Sequence, residues 1–502
     1  MARSIASRIE VGGILVAETP LHVGGIGGNS EVDLALAVNG QGQYYIPGTS
    51  IAGALRGWMK GHSDGYEDVV NAMWGFQEQK SRNGYASFVV MEDALIEGDV
   101  IAEIRDGIGI NRNWGTSAEQ LKYDRAILPR GAKIKLNMTL EVGSELDKNW
   151  AEFQAAFADL LHALKNGEIR LGAAKTRGLG RVKLVTVTAL KYDFLTSKGI
   201  LKTLRGEHNN VLGELLNGNR ATVLVKPRLS IEIKWEPQGP IMVKAEGDGI
   251  GVDTLPLVSA VDNSLTFVLP GSSIKGALRT QAERIVRTIC SWEASEEASQ
   301  QLDLPLIKNL FGTPSSSKEN QFGIGSLFVD DCYANLPITP DAWGNIEAAT
   351  DESELRQALN QAKLQNTQQA FHVAVDRWTG GAADSFLYST LEPMGVKWQP
   401  IRLTLKLNRF KENQLPGICL LLLVLRDLID GRISLGYGTN RGMGAIKVNN
   451  IEINCQGLDN SLAALAEVTL SEGKLAVPSS GLLDNLNHAW TQWIDASMIG
   501  DA

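Results

Sequence analysis

The alternation of apolar and polar residues predicts two strands that open two similar halves of the chain. The first strand includes Ile9, Val11, Ile14 and Val16, with a bulge predicted at Gly12 and Gly13, and the second includes Leu229, Ile231, Ile233 and Trp235. After each strand the apolar period changes to that of a helix, as in Ile51, Leu55 and Met59. Thr49 or Ser50 in the first half, and Ser272 or Ser273 in the second, are the predicted N-caps.

Later segments repeat the same order in both halves. Strands are predicted over residues 133–140 and 401–407, and helices over 150–164 and 420–428, each followed by a glycine-rich loop. A further helix is predicted over 351–359, in an insertion of the second half. The order strand, helix, strands, helix, loop, strand predicts an α+β fold of two tandem ferredoxin-like (RRM-like) domains, whose sheets have one face free for RNA.

Two motifs, each present twice and in the same order, carry the duplication. Residues 46–56 read IPGTSIAGALR and residues 269–279 read LPGSSIKGALR. The glycine-rich loops read GAAKTRGLGRV over 172–182 and GYGTNRGMGAI over 436–446. The predicted boundaries are 1–190 for the first domain, 191–222 for a linker, 223–455 for the second domain and 456–502 for a separate tail of unknown role.

Composition changes this picture little. The 502 residues have a formal net charge of −9, which alone disfavours nucleic-acid binding, yet residues 170–183 hold five basic residues and no acidic one. The 4 cysteines form no closely spaced pair, which disfavours zinc and is typical of a reducing compartment. We expect a cytoplasmic protein without a membrane partner, because we find neither a signal-peptide pattern nor a long apolar run.

With these motifs the chain resembles the RAMP superfamily of CRISPR-associated proteins, and more narrowly two fused backbone subunits of type III effector complexes. The motifs are His22-Val23-Gly24-Gly25, the two helix starts and the two glycine-rich loops; the first is altered in the second half, where Met242 and Lys244 replace His22 and Gly24. The resemblance implies three partners: a guide RNA (crRNA), a complementary target RNA and other type III subunits. It also implies that residues 111–118 and 376–383 are the tips of thumb hairpins that intercalate between guide and target base pairs.

Candidate RNA contacts follow from these motifs, because glycine-rich loops, helix N-termini and cations suit phosphate. They are His22, Ser50, Arg56, Arg112, Lys175, Arg177, Arg181, Ser273, Lys275, Arg279, Arg377 and Arg441. An arginine beside an aromatic residue suits phosphate contact with base stacking, although Trp114 and Trp378 fit equally well as partly buried anchors.

In catalytic members of the family an acidic residue lies between the H-x-G-G start and the helix start. Asp33 and Asp253 occupy that place, and we expect them to act in a metal-dependent, guide-directed endoribonuclease. They would orient or deprotonate an attacking 2′-hydroxyl, or hold Mg²⁺ (or another divalent metal) together with RNA phosphates rather than in a dedicated protein cage. Asp93 and Asp331 also recur, and are expected to form hydrogen bonds within the domains. A non-catalytic RNA-binding scaffold and a guide-processing RAMP endoribonuclease are the alternatives.

Overall fold

The computed structural model describes residues 4–25, 32–62, 67–77, 84–143, 150–217, 226–296, 301, 304–313, 323–410 and 412–499. Glu31 and the Gly218-Asn219 turn of the predicted linker lie outside these residues. The chain forms two compact units. The first contains residues 1–103, 125–175 and 179–225; the second contains 104–124, 176–178 and 226–502.

Residues up to 217 form β1 (Ser7–Ala17), β2 (Tyr45–Ile46), α1 (Gly48–His62), α2 (Glu67–Trp74), β3 (Phe76–Gln77), β4 (Gly84–Tyr85), β5 (Val89–Met91), β6 (Ala94–Glu97), β7 (Glu103–Ile110), β8 (Ser117–Ile127), β9 (Lys133–Val142), α3 (Trp150–Lys165), β10 (Ile169–Arg170), β11 (Arg177–Gly178), β12 (Arg181–Asp193), α4 (Ser197–Leu204), β13 (Asn209–Asn210) and α5 (Leu212–Asn217). The remainder forms β14 (Arg228–Pro237), β15 (Val258–Val261), β16 (Ser264–Leu269), α6 (Gly271–Cys290), α7 (Ile307–Phe311), β17 (Leu327–Asp330), β18 (Cys332–Tyr333), α8 (Pro340–Ala348), α9 (Glu352–Gln361), β19 (Gln368–Val375), β20 (Ala382–Glu392), β21 (Ile401–Lys406), α10 (Gln414–Ile429), β22 (Ile446–Gln456), α11 (Asn460–Ala463), β23 (Thr469–Ser471), β24 (Lys474–Ala476) and α12 (Ser480–Ile499), with short 3-10 turns between some of them.

The two units share the order of four central strands. In the first, β1 pairs with β12 and β9, and β9 pairs with β5, all antiparallel. In the second, β14 pairs with β22 and β21, and β21 pairs with β17, again antiparallel. With one helix after the first strand and one before the last, each unit is a ferredoxin-like α+β domain, as predicted.

The bulge predicted at Gly12 and Gly13 lies in the partner strand instead. Gly12 and Gly13 pair regularly, and the register shifts only where Ile14 faces Thr186 and Leu15 faces Leu184, so Val185 is the extra residue. The second unit has the same irregularity: Lys234 faces Asn450 and Trp235 faces Val448, which leaves Asn449 extra. The duplication is therefore retained in the register as well as in the motifs.

Each unit has its own hydrophobic core. In the first, alternate residues of β9 and the apolar face of α3, including Phe157 and Leu161, are buried together. In the second, Leu465, Leu482 and Trp493 belong to the core, so the tail beyond Cys455 is packed into this unit rather than standing apart. Within the predicted linker, α5 contributes Leu215 to the first core; the predicted domain boundaries stay predictions. None of the described helices is both long and apolar enough to cross a lipid bilayer.

Candidate nucleic-acid interface

An aspartate from a strand end holds the start of each motif helix. Asp93 Oδ1 accepts a hydrogen bond from the Gly48 amide at 2.7 Å, and Asp331 Oδ1 accepts one from the Gly271 amide at 2.7 Å. This confirms the expectation of hydrogen-bonding roles for the two aspartates and corrects the predicted N-caps. The helices begin at Gly48 and Gly271, so the serine and threonine hydroxyls lie inside the first turn.

In each unit the glycine-rich loop forms a backbone hydrogen bond to the equivalent residue of that unit, His22 in the first and Met242 in the second. In the first, the Ala173 amide donates to His22 O at 2.9 Å; in the second, the Tyr437 amide donates to Met242 O at 2.7 Å. A Cβ on Gly172 would lie 2.0 Å from His22 O, and a Cβ on Gly436 would lie 2.2 Å from Met242 O. Glycine is required at these positions because the loop backbone passes too close for a side chain.

In the first unit three of the motifs meet at one cleft of about 370 Å³. Its lining residues come from the H-x-G-G start, the first turns of α1 and the glycine-rich loop: Val23, Gly24, Thr49, Ser50, Gly53, Ala54, Gly172, Ala173 and Lys175. Small residues, two hydroxyls and one ammonium group suit the close approach of a sugar-phosphate chain. Ser50 and Lys175 are therefore placed together, as RNA contact would require.

Two candidate RNA contacts are buried. His22 is 4% exposed, and its Nδ1 lies 2.7 Å from Ala126 O; burial lowers the pKa of the imidazole. The Lys275 ammonium donates to Leu327 O at 2.7 Å, and burial, with repulsion from neighbouring arginines, lowers its pKa well below the usual value. These residues are each only 4% exposed and offer almost no surface to RNA, which corrects their sequence-based assignment. The exchange of His22 for Met242 is then a change between two buried residues.

Two of the candidate arginines form internal ion pairs with one glutamate of α6. Glu283 accepts from Arg279 Nε at 2.6 Å and from Arg112 Nε at 2.5 Å, and its side chain is 2% exposed. Arg112 lies at the tip of the first thumb hairpin, which belongs to the second compact unit. The two guanidinium groups share the single negative charge of Glu283, and their side chains are only 13% and 14% exposed, which corrects their assignment as accessible RNA contacts. In the first repeat the residue aligned with Glu283 is Lys60, so Arg56 has no such carboxylate one turn further on.

The loops that carry Asp33 and Asp253 are bridged to the second strands, β8 and β20, of the two hairpins β7–β8 and β19–β20, which are called the thumb strands. Leu34 forms a β-bridge with Arg125, and Thr254 forms one with Thr390, at the aligned positions. Asp33 and Asp253 precede the bridges and are exposed.

One oxygen of Asp253 is held by a buried serine of β20. Asp253 Oδ2 accepts from the Ser389 amide at 2.7 Å and from its hydroxyl at 3.0 Å. The hydrogen bond from the Ser389 backbone amide, more than the one from its hydroxyl, keeps the pKa of Asp253 below its ordinary value. Both bonds go to Oδ2. The residue aligned with Ser389 in the first repeat is Asp124.

A tyrosine of each thumb strand binds the arginine of its glycine-rich loop, a contact that sequence reasoning missed. Arg177 Nη1 donates to Tyr123 Oη at 3.1 Å, and Arg441 donates to Tyr388 Oη while its guanidinium lies 4.9 Å from the Tyr437 ring centre. Tyr123 and Tyr388 are equivalent in the alignment that matches Arg112 with Arg377, and that recurrence was the available signal. Arg177 and Arg441 are exposed beyond their tyrosines.

The two tip tryptophans are exposed, Trp114 by 78% and Trp378 by 93%, so neither is a buried anchor. Arg377 is also exposed beside Trp378, as stacking and phosphate contact would need. Of the remaining candidates, Ser273 is half-buried in the first turn of α6, and Arg181 lies 3.9 Å from Glu18 Oε2.

Within the described residues, no three Asp, Glu, His or Cys side chains lie close enough to form a metal-binding group. Magnesium commonly uses only one or two carboxylates together with phosphate oxygens and water. Asp253, an exposed aspartate with one oxygen held by Ser389, fits that donor set.

Two ferredoxin-like units with duplicated glycine-rich loops and exposed basic and aromatic groups define a class of RNA-binding proteins built from tandem domains. Comparison with protein families identifies the class: the RAMP superfamily model matches residues 14–183 and 253–447, and the chain belongs to that superfamily. The two matched regions confirm the tandem RAMP duplication, and the superfamily indicates a CRISPR-associated role in RNA binding. No curated protein matched the chain.

Proposed function

We propose that this chain is the guide-RNA-binding backbone subunit of a type III CRISPR effector complex and that it cuts complementary target RNA. The observation that supports cleavage best is the repeated acidic loop. In both units the residue after the candidate aspartate is bridged to the thumb strand, so each aspartate has a fixed place at the base of a thumb. The proposed partners are the guide RNA, the target RNA and other subunits of the complex.

The proposed reaction is attack of a target-RNA 2′-oxygen on the adjacent phosphorus, with departure of the 5′-oxygen. The products are a 2′,3′-cyclic phosphate and a 5′-hydroxyl; the 2′-hydroxyl loses its proton and the leaving oxygen gains one. Asp33 and Asp253 would accept the hydrogen bond of the 2′-hydroxyl and orient it. With its lowered pKa, Asp253 is a weak proton acceptor and a good anionic ligand, which favours orientation or metal binding over proton abstraction. A bound Mg²⁺ would supply charge neutralisation at the phosphate.

RNA binding is proposed to use the side chains that the fold leaves accessible. In the first unit these are Ser50 and Lys175 at the cleft, with Arg56 on the same helix. Arg177, Arg377 and Arg441 of the second compact unit present exposed guanidinium groups.

The test is product mapping with a labelled complementary target RNA and the assembled complex. Asp33→Ala and Asp253→Ala should each remove one product, the double variant should remove both, and guide and target binding should be unchanged. Asp248→Ala is the matched control, because Asp248 is an exposed acid near Asp253 that pairs at 3.6 Å with Lys244. If the double variant cuts at the same positions as the natural protein, the aspartates are not catalytic and the scaffold function becomes the better proposal.

A further inference from the structure

The first thumb hairpin, β7 and β8, is held in the second compact unit by two ion pairs. Arg105 Nη1 lies 2.5 Å from Asp331 Oδ2, with side chains 9% and 0% exposed. Arg112 Nε lies 2.5 Å from Glu283 Oε2, with side chains 13% and 2% exposed. Buried ion pairs tolerate the loss of one partner poorly, so these two contacts discriminate strongly between hairpins.

A backbone contact accompanies the ion pairs. β11, from the glycine-rich loop of the first repeat, pairs in parallel with the edge strand β17. The second unit therefore receives a hairpin and a loop that belong, in sequence, to the preceding repeat. We call Asp331, Glu283 and β17 the receiving face of the second repeat.

The first repeat has the same face with different charges. Asp93 caps α1 as Asp331 caps α6, and β5 pairs with β9 alone among the described strands. In the described part of the chain, Asp93 Oδ2 has no counterpart of Arg105, and Asp93 is exposed whereas Asp331 is buried. Lys60 stands where the second repeat has Glu283.

The second thumb does not match this face. In the gap-free alignment of the hairpins, Ala370 stands in place of Arg105, whereas Arg377 stands in place of Arg112. A second copy docked by its second thumb would leave Asp93 without a cation and bring Arg377 towards Lys60. Like charges across an interface suppress the wrong partner.

We propose that the receiving face of the first repeat (Asp93, Lys60 and the β5 edge) docks the thumb of a different RAMP-type subunit, not a second copy of this chain. The partner thumb carries an arginine that pairs with Asp93 and an acidic tip residue that pairs with Lys60. The inference rests on the duplication and the ion pairs, and it is independent of whether the aspartates cleave RNA. Charge at two positions thus sets the neighbour on this side and stops the chain from adding to itself.

The test converts the chain's own second thumb into the proposed partner. Sedimentation of the full-length Ala370→Arg/Arg377→Glu variant, without RNA, should show concentration-dependent head-to-tail oligomers that dissociate at high salt. The natural chain should show no such growth. Close charge pairs at interfaces contribute enough that association should rise at least about tenfold over the neutral control Ala370→Gln/Arg377→Gln.

A reversal variant identifies the face. Adding Asp93→Asn and Lys60→Ala to the oligomer-forming variant should restore the behaviour of the neutral control, with folding checked by circular dichroism. Three outcomes would overturn the proposal: growth of the natural chain, a charge-converted variant no more associated than its control, or oligomers that survive the reversal.

Discussion

The carboxylate of Asp331 accepts a hydrogen bond from the Gly271 amide with one oxygen and a hydrogen bond from the Arg105 guanidinium with the other. Asp93 repeats only the first of these bonds, to Gly48. One residue type at equivalent places therefore caps a helix in both repeats and anchors a buried arginine in the second.

We expect Asp331→Ala to destabilise the second unit much more than Asp93→Ala destabilises the first. Loss of Asp331 removes the carboxylate that balances the charge of the buried Arg105 guanidinium, which costs about 3–5 kcal/mol. Loss of Asp93 removes a helix-capping bond worth about 0.5–2 kcal/mol. Urea unfolding followed by circular dichroism measures both, and Asp484→Ala, an exposed position of α12, should stay within about 0.5 kcal/mol of the natural protein. Equal losses for the two aspartates would contradict the role of Arg105.

We expect Trp378→Ala to weaken target-RNA binding by about 1–3 kcal/mol, since an exposed indole at a hairpin tip can stack on a base. Stability should change little, because the side chain is 93% exposed. Trp378→Phe retains an aromatic ring and should recover most of the affinity, measured by titration of labelled RNA. Natural affinity in Trp378→Ala would show that the tip does not stack.

We expect Lys175, in the first glycine-rich loop, and Lys275, in α6, to behave differently although both lie in motifs predicted to bind RNA. Lys175→Met should weaken guide-RNA binding and reduce the slope of log K against log salt by about 0.7–0.9. Lys275→Met should leave that slope unchanged, because the ammonium group is buried against Leu327 O. Affinity measured over a series of salt concentrations separates the two, and a reduced slope for Lys275→Met would contradict its burial.

We expect Ser389→Ala to change the pH dependence of cleavage at the second site only. The serine hydroxyl stabilises the ionised form of Asp253, so removing the hydroxyl raises the pKa of Asp253. The hydrogen bond from the backbone amide of residue 389 is retained in the variant. A higher pKa means that Asp253 is protonated at higher pH, so the second product should decline sooner on acidification. The Asp33-dependent product is the internal control, and Ser389→Thr, which keeps a hydroxyl, should behave like the natural chain. An unchanged profile would show that Asp253 is not the titrating group.

The sequence predicted what depends on local pattern and on repetition. The alternating segment forms the strand β14, and the segment with helical period forms the helix α1. The two glycine-rich loops occupy equivalent places in the two units. The N-caps were wrong because the capping carboxylates belong to residues between strands, 45 and 60 residues away along the chain. The ion pair of Arg112 was likewise hidden, since Glu283 lies 171 residues further along the chain. A cation in a binding motif is available to RNA only if no distant carboxylate reaches it first.

The first thumb also sets a problem of timing during synthesis. Arg105 is separated from Asp331 by 226 residues, so at about 5–20 residues per second it leaves the ribosome roughly 10–45 s before its partner. During that interval the segment that will form β7 and β8 is without the second repeat and is accessible to other chains. Prompt translation of the second repeat, or a chaperone that covers residues 104–124, would protect it, and a ribosome stalled between the repeats would leave it exposed.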